Sequence, residues 1–577
     1  GNTEHARFLN TTKSFQTGGS NTASGVNSVA MGLLSVASGP YTGVWGAGDS
    51  ATGTGNGAWA IGHSNKAFGD RAIALGYNTT ASNVYSTSMG NGTTASGYAS
   101  TTMGTNTTAS GLHSTALGQL SVASGANSGV WGFQDSATGT GNGAWAIGSY
   151  CKAFGDRSIA LGTSTTASGA FSTVMGLATT ASGDISTSMG LSTTASGYTS
   201  TAMGHTTTAS GYSSTAMGNT TTASGNYSTS IGLNSIASGE TSTAVGRSTT
   251  ASGVASTAMG QESGAMGNYT GVWGFQDSAT GIGNGAWAIG HGCKAFGDRA
   301  VAMGTSTTAS GNYSTAMGQS STASGLHSTV IGFSSQALGK SSNVMGQQSV
   351  ATGHYSGAWG YQDSATGIGN GAWAIGSYNK AFGDRSVAIG SNNTATGRTA
   401  TAMGFNTTAS GDYSMALGIH VTASVHYQFA ARFQGGYKLE SNAGGTTGVA
   451  LAANGTAWTS ISDRRSKNSI AGLTYGLSTV MALRPTQYKY NGNENTSLGF
   501  IAQEVQAVVP EVVVQTDMGP DGDYLGVNYT ELIPVLTKAI QELKAENEAL
   551  KATLVAKDES LAKRITMLEA HMAQASK

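Results

Sequence analysis

Residues 191–218 read LSTTASGYTSTAMG-HTTTASGYSSTAMG, two copies of one 14-residue unit that differ at only three positions. The unit ends on a glycine, and that glycine recurs from Gly18 to Gly418 without a missed beat, in steps of 14 residues except for four steps of 16. A fixed period is the mark of a repeat architecture. A disordered Gly/Ser/Thr-rich segment has no reason to keep register over about 400 residues. Apolar side chains stand one and three places before the glycine, as with Val29 and Met31 before Gly32 or Val301 and Met303 before Gly304. This alternation of period two predicts short strands, closed at tight corners by small residues and glycine. The expected fold is mainly β: a parallel β-solenoid with one coil per unit, about 130 Å long at roughly 4.8 Å per coil. Strand parity places both apolar positions on one face, which is read here as the inside. Coils this thin bury little core alone, so lateral association with sister chains is expected.

Eight of the nine Trp fall in four cassettes of the form GVWGFQDSATGTGNGAWAIGxxxKAFGDR, with pairs at Trp45/Trp59, Trp131/Trp145, Trp273/Trp287 and Trp359/Trp373. Each cassette holds one 16-residue step, and the cassettes lie 86, 142 and 86 residues apart. With both Trp slots facing inward, the two extra residues are expected to enlarge the coil around a bulky core, the Gly-Asn-Gly corner taking the unusual backbone. The alternative is an exposed aromatic belt that stacks on sugar rings. GTGNG looks like a phosphate loop, but no helix pattern follows it. Lys66, Asp70 and Arg71 are expected to form local ion pairs. Cys151 and Cys293 share a cassette position ten coils apart, beyond disulfide reach, and are expected to be small core residues. Tyr98, Tyr198, Tyr212, Tyr227, Tyr313 and Tyr413 recur just after a corner glycine, a candidate ladder for glycan or protein contact set against a plain solvated surface.

The 577 residues include 87 Gly, 5 Pro and 2 Cys, with a formal net charge of −1. That composition excludes collagen and a disulfide-stapled miniprotein. The absence of basic runs argues against nucleic acid as a partner. No apolar run of membrane-spanning length is present. GNTEHARFLN has neither initiator Met nor leader features, so removal of a preceding segment is expected and the export route is not legible. Asp, Glu, Lys and Arg number 29 in residues 1–461 and 26 in residues 462–577, and four of the five Pro lie in the second stretch. Two kinds of protein are joined near position 462.

Residues 27–32, NSVAMG, and the period behind them resemble the head repeats of YadA-type trimeric adhesins, over about 400 residues. The resemblance implies a left-handed parallel β-roll assembled as a homotrimer. No membrane-barrel segment follows, so self-anchoring as an autotransporter is not expected. Residues 462–577 resemble the intramolecular chaperone of endosialidase family through Ser462-Asp463 with Lys467 five on, LTYGLSTVMALRPTQYKY, LGFIAQEVQAVVPEVV and YLGVNYTELIPVLTKAIQELK. Ser466 departs from the family, which has an apolar residue before the lysine. This second resemblance implies a module that trimerises the chain, assists folding of the upstream β-rod, and cuts itself off between Ile461 and Ser462. A serine hydroxyl needs a base, and a lysine serves when burial favours its neutral form. Ser462 and Lys467 are the catalytic candidates. On a helix or a strand a five-residue spacing separates the two side chains, so the dyad needs a turn or residues from neighbouring chains.

The organisation expected is thus a lead-in at 1–17, the β-roll at 18–418, a β neck at 419–461 and the chaperone at 462–577, with a coiled coil over about 536–575. Ile540, Leu543, Asn547, Leu550 and Leu554 follow the 4-3 spacing of a seam, with a buried polar residue that specifies register. Near-identical coils have many false registers close in energy, which is the physical need for such a template. The expected function is an extracellular trimeric fibre or adhesin, on a cell surface or a virion, that binds a glycan or protein receptor. No cofactor, metal, nucleic acid or membrane insertion is expected. A glycan depolymerase is the alternative, although glycosidases use paired carboxylates and the roll has only 12 acidic residues. Ice binding through Thr ladders is a third reading.

Overall fold

Residues 6–53, 55–139, 141–281, 284–367, 370–441, 447–516 and 524–576 are described by the structure, a computed structural model. The chain divides into two compact units, Gly1–Gly435 and Gly436–Lys577.

Each coil of the first unit contains a short strand and a long one, for example Thr208–Ala209 and Thr215–Asn219. Long strands stack parallel and in register on the long strands of adjacent coils, with Thr201 opposite Thr215 and Met203 opposite Met217. Short strands build a second parallel ladder, Ala195 to Ala209 to Ala223. The coil turns at Ser213 and Thr220, non-glycine residues with φ of 51° and 54°. Strand residues donate their N–H to the following coil, as Thr215 does to the Ser228 carbonyl at 2.9 Å. Positive φ reverses the group, so Ser213 donates back to the Tyr198 carbonyl and Thr220 to that of His205, both at 2.8 Å. Each such corner costs about 1–3 kcal/mol of backbone strain. Pairing an N–H that would otherwise be orphaned offsets that strain.

The core is narrower than the sequence reading required. Thr207, Ala209, Ser214 and Ala216 point inward in coil 205–218 and are buried. The inward residue of the long strand stands two places before the glycine, and it is Ala in most coils, with Val44, Val130 and Val174 among the largest. The Val, Met and Thr one and three places before the glycine therefore lie on the opposite face, outside the roll. Parity was read correctly and its sign was inverted, because two ladders joined by tight corners leave room only for small side chains.

The cassettes invert with it. Trp45 is 63% exposed and Trp145 45%, so neither fills a core. The two extra residues lengthen the corner after the short strand Ser50–Ala51, ahead of the long strand Trp59–His63. Ala51, Ala58 and Ala60 beside that corner are fully buried, so the core is as small as elsewhere. Lys66, Asp70 and Arg71 form no ion pair among the described residues. Arg71 instead hydrogen-bonds the Tyr85 hydroxyl one coil on, its guanidinium 5.3 Å from the ring centre. Cys151 and Cys293 are buried free thiols, and Cys151 Sγ donates to the Gly162 carbonyl at 3.1 Å.

A hairpin, Arg7–Leu9 with Ser14–Thr17, opens the first unit, and its second strand is already a rung beside Val29–Leu33. At the other end the ladder runs past Gly418, because Phe429–Arg432 pairs in parallel with Met415–Gly418.

The second unit opens with an antiparallel sheet of Tyr437–Glu440, Gly448–Leu451 and Thr459–Ser460. Helices α1 (Leu477–Ala482), α2 (Ala502–Gln506) and α3 (Leu532–Ala575) follow. Val505, Val509, Val512 and Leu532 form its small core. Glu542 of α3 accepts the Leu477 N–H at 2.6 Å, tying α3 to the start of α1. On either side of Glu542 α3 exposes apolar residues, Ile540 before it and Leu543, Leu550 and Leu554 after it. No helix among the described residues is long and apolar enough to cross a membrane.

Candidate functional site

The strand Thr459–Ser460 ends against the sheet, where the Ile461 N–H donates to the Gly448 carbonyl at 3.1 Å. The chain then enters a single 3₁₀ turn, Arg464–Ser466. Asp463 caps it: Oδ1 accepts the Arg465 N–H at 2.8 Å and Oδ2 accepts an Arg465 guanidinium N–H at 2.9 Å. Hydrogen bonds from the Arg465 side chain and backbone hold the Asp463 carboxyl below its ordinary value. Lys467 closes the turn and donates from Nζ to Ser462 Oγ at 2.6 Å. A five-residue spacing that neither helix nor strand could join is thus joined within one chain. The resemblance to the chaperone family supplies the pair, and of the two arrangements its spacing allows, a turn or neighbouring chains, the turn is the one seen within this chain.

The corner tyrosines form columns. Tyr198 stacks on Tyr212 with ring centres 5.2 Å apart, and Tyr227 meets Tyr212 edge-on at 5.3 Å. Tyr98 lies between Tyr85 and His113 at 5.7 and 5.5 Å. Tyr313 stacks on His327 at 4.8 Å, under Arg299 at 5.4 Å. Tyr413 stacks on Tyr427 at 5.0 Å, with Arg398 also at 5.0 Å. All six named tyrosines are exposed. The sequence reading missed Tyr85, His113, His327, Tyr427 and the arginines, although spacings of 13 to 15 residues place them on the same corner one coil away.

Four buried aspartates, Asp49, Asp135, Asp277 and Asp363, occupy one equivalent position in the cassettes. Asp135 Oδ1 accepts the Cys151 N–H at 2.8 Å and Oδ2 the Gly148 N–H at 2.9 Å. Burial raises the carboxyl at all four, outweighing the hydrogen bonds that oppose it. No second carboxylate contributes to any of these shifts.

Comparison with known families returns two matches. The YadA head domain repeat matches residues 18–42, 48–79, 109–128, 140–165, 153–179, 181–207, 209–235, 237–263, 282–307, 295–321, 309–335, 323–356, 368–393 and 395–419, which together cover more than half of the chain. The chaperone of endosialidase matches residues 462–514, beginning at the candidate serine. No curated protein matches the chain.

Proposed function

Because this chain belongs to the YadA head-repeat family and ends in a match to the endosialidase chaperone, we propose that it is a homotrimeric fibre, displayed on a cell surface or a virion. It would bind a glycan or protein receptor and be freed from its chaperone by cleavage before Ser462. One observation carries the assembly. In every coil from Gly32 to Gly418 the residue before the glycine is Met, Leu, Ile, Val or Trp, and it points out of the roll. An exposed apolar line of that length is an interface, since monomers do not leave such surface in water. The seam residues of α3 serve the same trimer as a coiled coil.

For maturation, Lys467 takes the Ser462 hydroxyl proton as Oγ attacks the Ile461 carbonyl carbon. The C–O bond forms, the Ile461–Ser462 C–N bond breaks, and the proton passes to the departing amine. Water then hydrolyses the ester, leaving a carboxylate on Ile461 and a free amine on Ser462. An amine acts as base only where its charged form is disfavoured, so this reading requires assembly to cover the exposed dyad. The columns Tyr198-Tyr212-Tyr227 and Arg299-Tyr313-His327 supply flat, exposed rings for sugar or protein contact. Mass spectrometry after folding, with sedimentation of the product, tests the assignment: a trimer of 461-residue chains and a 116-residue fragment are expected. An uncut monomer refutes it. Binding of the cleaved trimer to a surface-glycan array and to whole cells tests the receptor role.

A further inference from the structure

The outward face of the long strands carries a second pattern, which assembly alone does not need. Across the two outward rows, from Val29 to Leu417, there is no charged residue. Nine coils present the same Thr/Met pair there, as Thr87 with Met89 and Thr215 with Met217, and are nearly interchangeable. Four levels are different. At each, the coil with Gly-x-Trp is followed by a coil with Trp-Ala-Ile, and the register sets Gly43 opposite Trp59, Gly129 opposite Trp145, Gly271 opposite Trp287 and Gly357 opposite Trp373. The second Trp lies over the glycine: a Cβ at Gly43 would come within 2.4 Å of the Trp59 ring, and one at Gly129 within 2.3 Å of that of Trp145. With that ring laid flat, the first Trp of the pair remains prominent, as Trp45 and Trp131 at 63% and 64% exposure illustrate.

We propose that these four tryptophan levels are register marks that lock three copies of this chain at one axial alignment; the inference rests on the trimeric reading above. The partner is a second copy because an uncharged apolar line repeating at about 4.8 Å is matched along its length only by a ladder of the same pitch. The marks fall six, ten and six coils apart. A slip of two to four coils therefore places every Trp coil against an ordinary one, a slip of one or five sets first-Trp coils only against second-Trp coils, and the first slip that superposes whole levels is six coils, roughly 29 Å. Uniform Thr/Met coils oppose a one-coil slip only weakly. Unequal spacing of bulky marks removes that degeneracy, and the Gly-for-Thr exchange beneath each second Trp gives each level its own shape. Aromatic residues at the centre of an interface carry a disproportionate share of its energy.

The test shifts the marks in one chain. Deleting residues 192–205 removes one whole coil and changes the middle spacing from ten to nine. Full-length wild-type and deleted chains, differently tagged, are synthesised together and their trimers sorted by tag. Mixed trimers should fall several-fold below the three quarters that random mixing gives. The same pairing with Trp45→Met, Trp131→Met, Trp273→Met and Trp359→Met in both chains should restore random mixing. Equal mixing in the two backgrounds overturns the proposal while leaving the trimer intact, whereas monomers overturn the trimeric reading itself. Acrylamide quenching of the unmodified trimer is the second measurement: cassette indoles shielded several-fold relative to the urea-unfolded chain support the marks. Indoles as accessible as in the unfolded chain refute them even if the quadruple variant fails to fold.

Discussion

Replacing Gly218 by Ala tests the stacking that defines the roll. Gly218 has φ of +125°, and an added Cβ would stand 2.0 Å from the Gly232 carbonyl oxygen and 2.9 Å from its carbon. These are backbone atoms of the next coil, so no side chain can swing aside. The strain of a non-glycine residue at this φ is about 1–3 kcal/mol. Relieving the clash means parting two coils by roughly an ångström and breaking flanking ladder bonds, each worth about 1 kcal/mol with a further 1–3 kcal/mol for a buried group left unpaired. The total is about 3–6 kcal/mol, concentrated at one coil-to-coil interface because repeat units couple to their neighbours. Gly57 is the control: its φ is +83°, but nothing lies within 4 Å of an added Cβ, so Gly57→Ala should cost only the strain. Native-state hydrogen exchange followed by mass spectrometry reads both. Gly218→Ala should lower protection sharply in the coils around residues 205–232 and leave coils near residue 400 unchanged, with a much smaller loss for Gly57→Ala around its own corner. Equal, small effects for the two variants would refute the close-stacked geometry.

Ser462→Ala and Lys467→Ala should each give uncut chains that still assemble, and mixing the two variants in one trimer should restore no cleavage, because the 2.6 Å contact lies within one chain; cut product from the mixture would refute the intrachain dyad. The four cassette aspartates have carboxyls raised by burial, so their protonated form favours the fold: their contribution is fully present below the unfolded value of 3.8 and is lost as pH rises through the higher folded values. Thermal melting of a trimer carrying Asp49→Asn, Asp135→Asn, Asp277→Asn and Asp363→Asn should therefore show a shallower decline in melting temperature between pH 4 and 7 than wild type, and an unchanged profile counts against the assignment. Cys151→Asn should melt within about 1 kcal/mol of wild type, since Asn65 and Asn379 hold the same buried position with their side-chain amides bonded to carbonyls. Wild-type thiols should stay unreactive to a disulfide reagent until the roll unfolds.

The period and the parallel pairing of short strands were legible in the sequence, because a parallel stack forces chemically equivalent residues to recur at one spacing, whereas the rungs at Ser14–Thr17 and Phe429–Arg432 lie outside the strict repeat. The Ser462 and Lys467 candidates have a different source: they come from the resemblance to the endosialidase chaperone family, whose motif these residues match. The sequence could not decide which side of the ladder is inside. Alternation marks two faces without labelling them, and the habit of placing Met, Val and Trp in the core gave the wrong label. Only the closed cross-section decides it, since the gap between a long and a short strand seven residues apart accepts Ala, Ser, Thr, Val and an occasional Asn or Asp and leaves the Met and Trp side chains outside. The same holds for the dyad. Five residues join Ser462 to Lys467 in the chain, but it takes the 3₁₀ turn capped by Asp463 to bring Nζ onto Oγ, and a turn of one hydrogen-bonded cycle has no periodicity for a sequence to display.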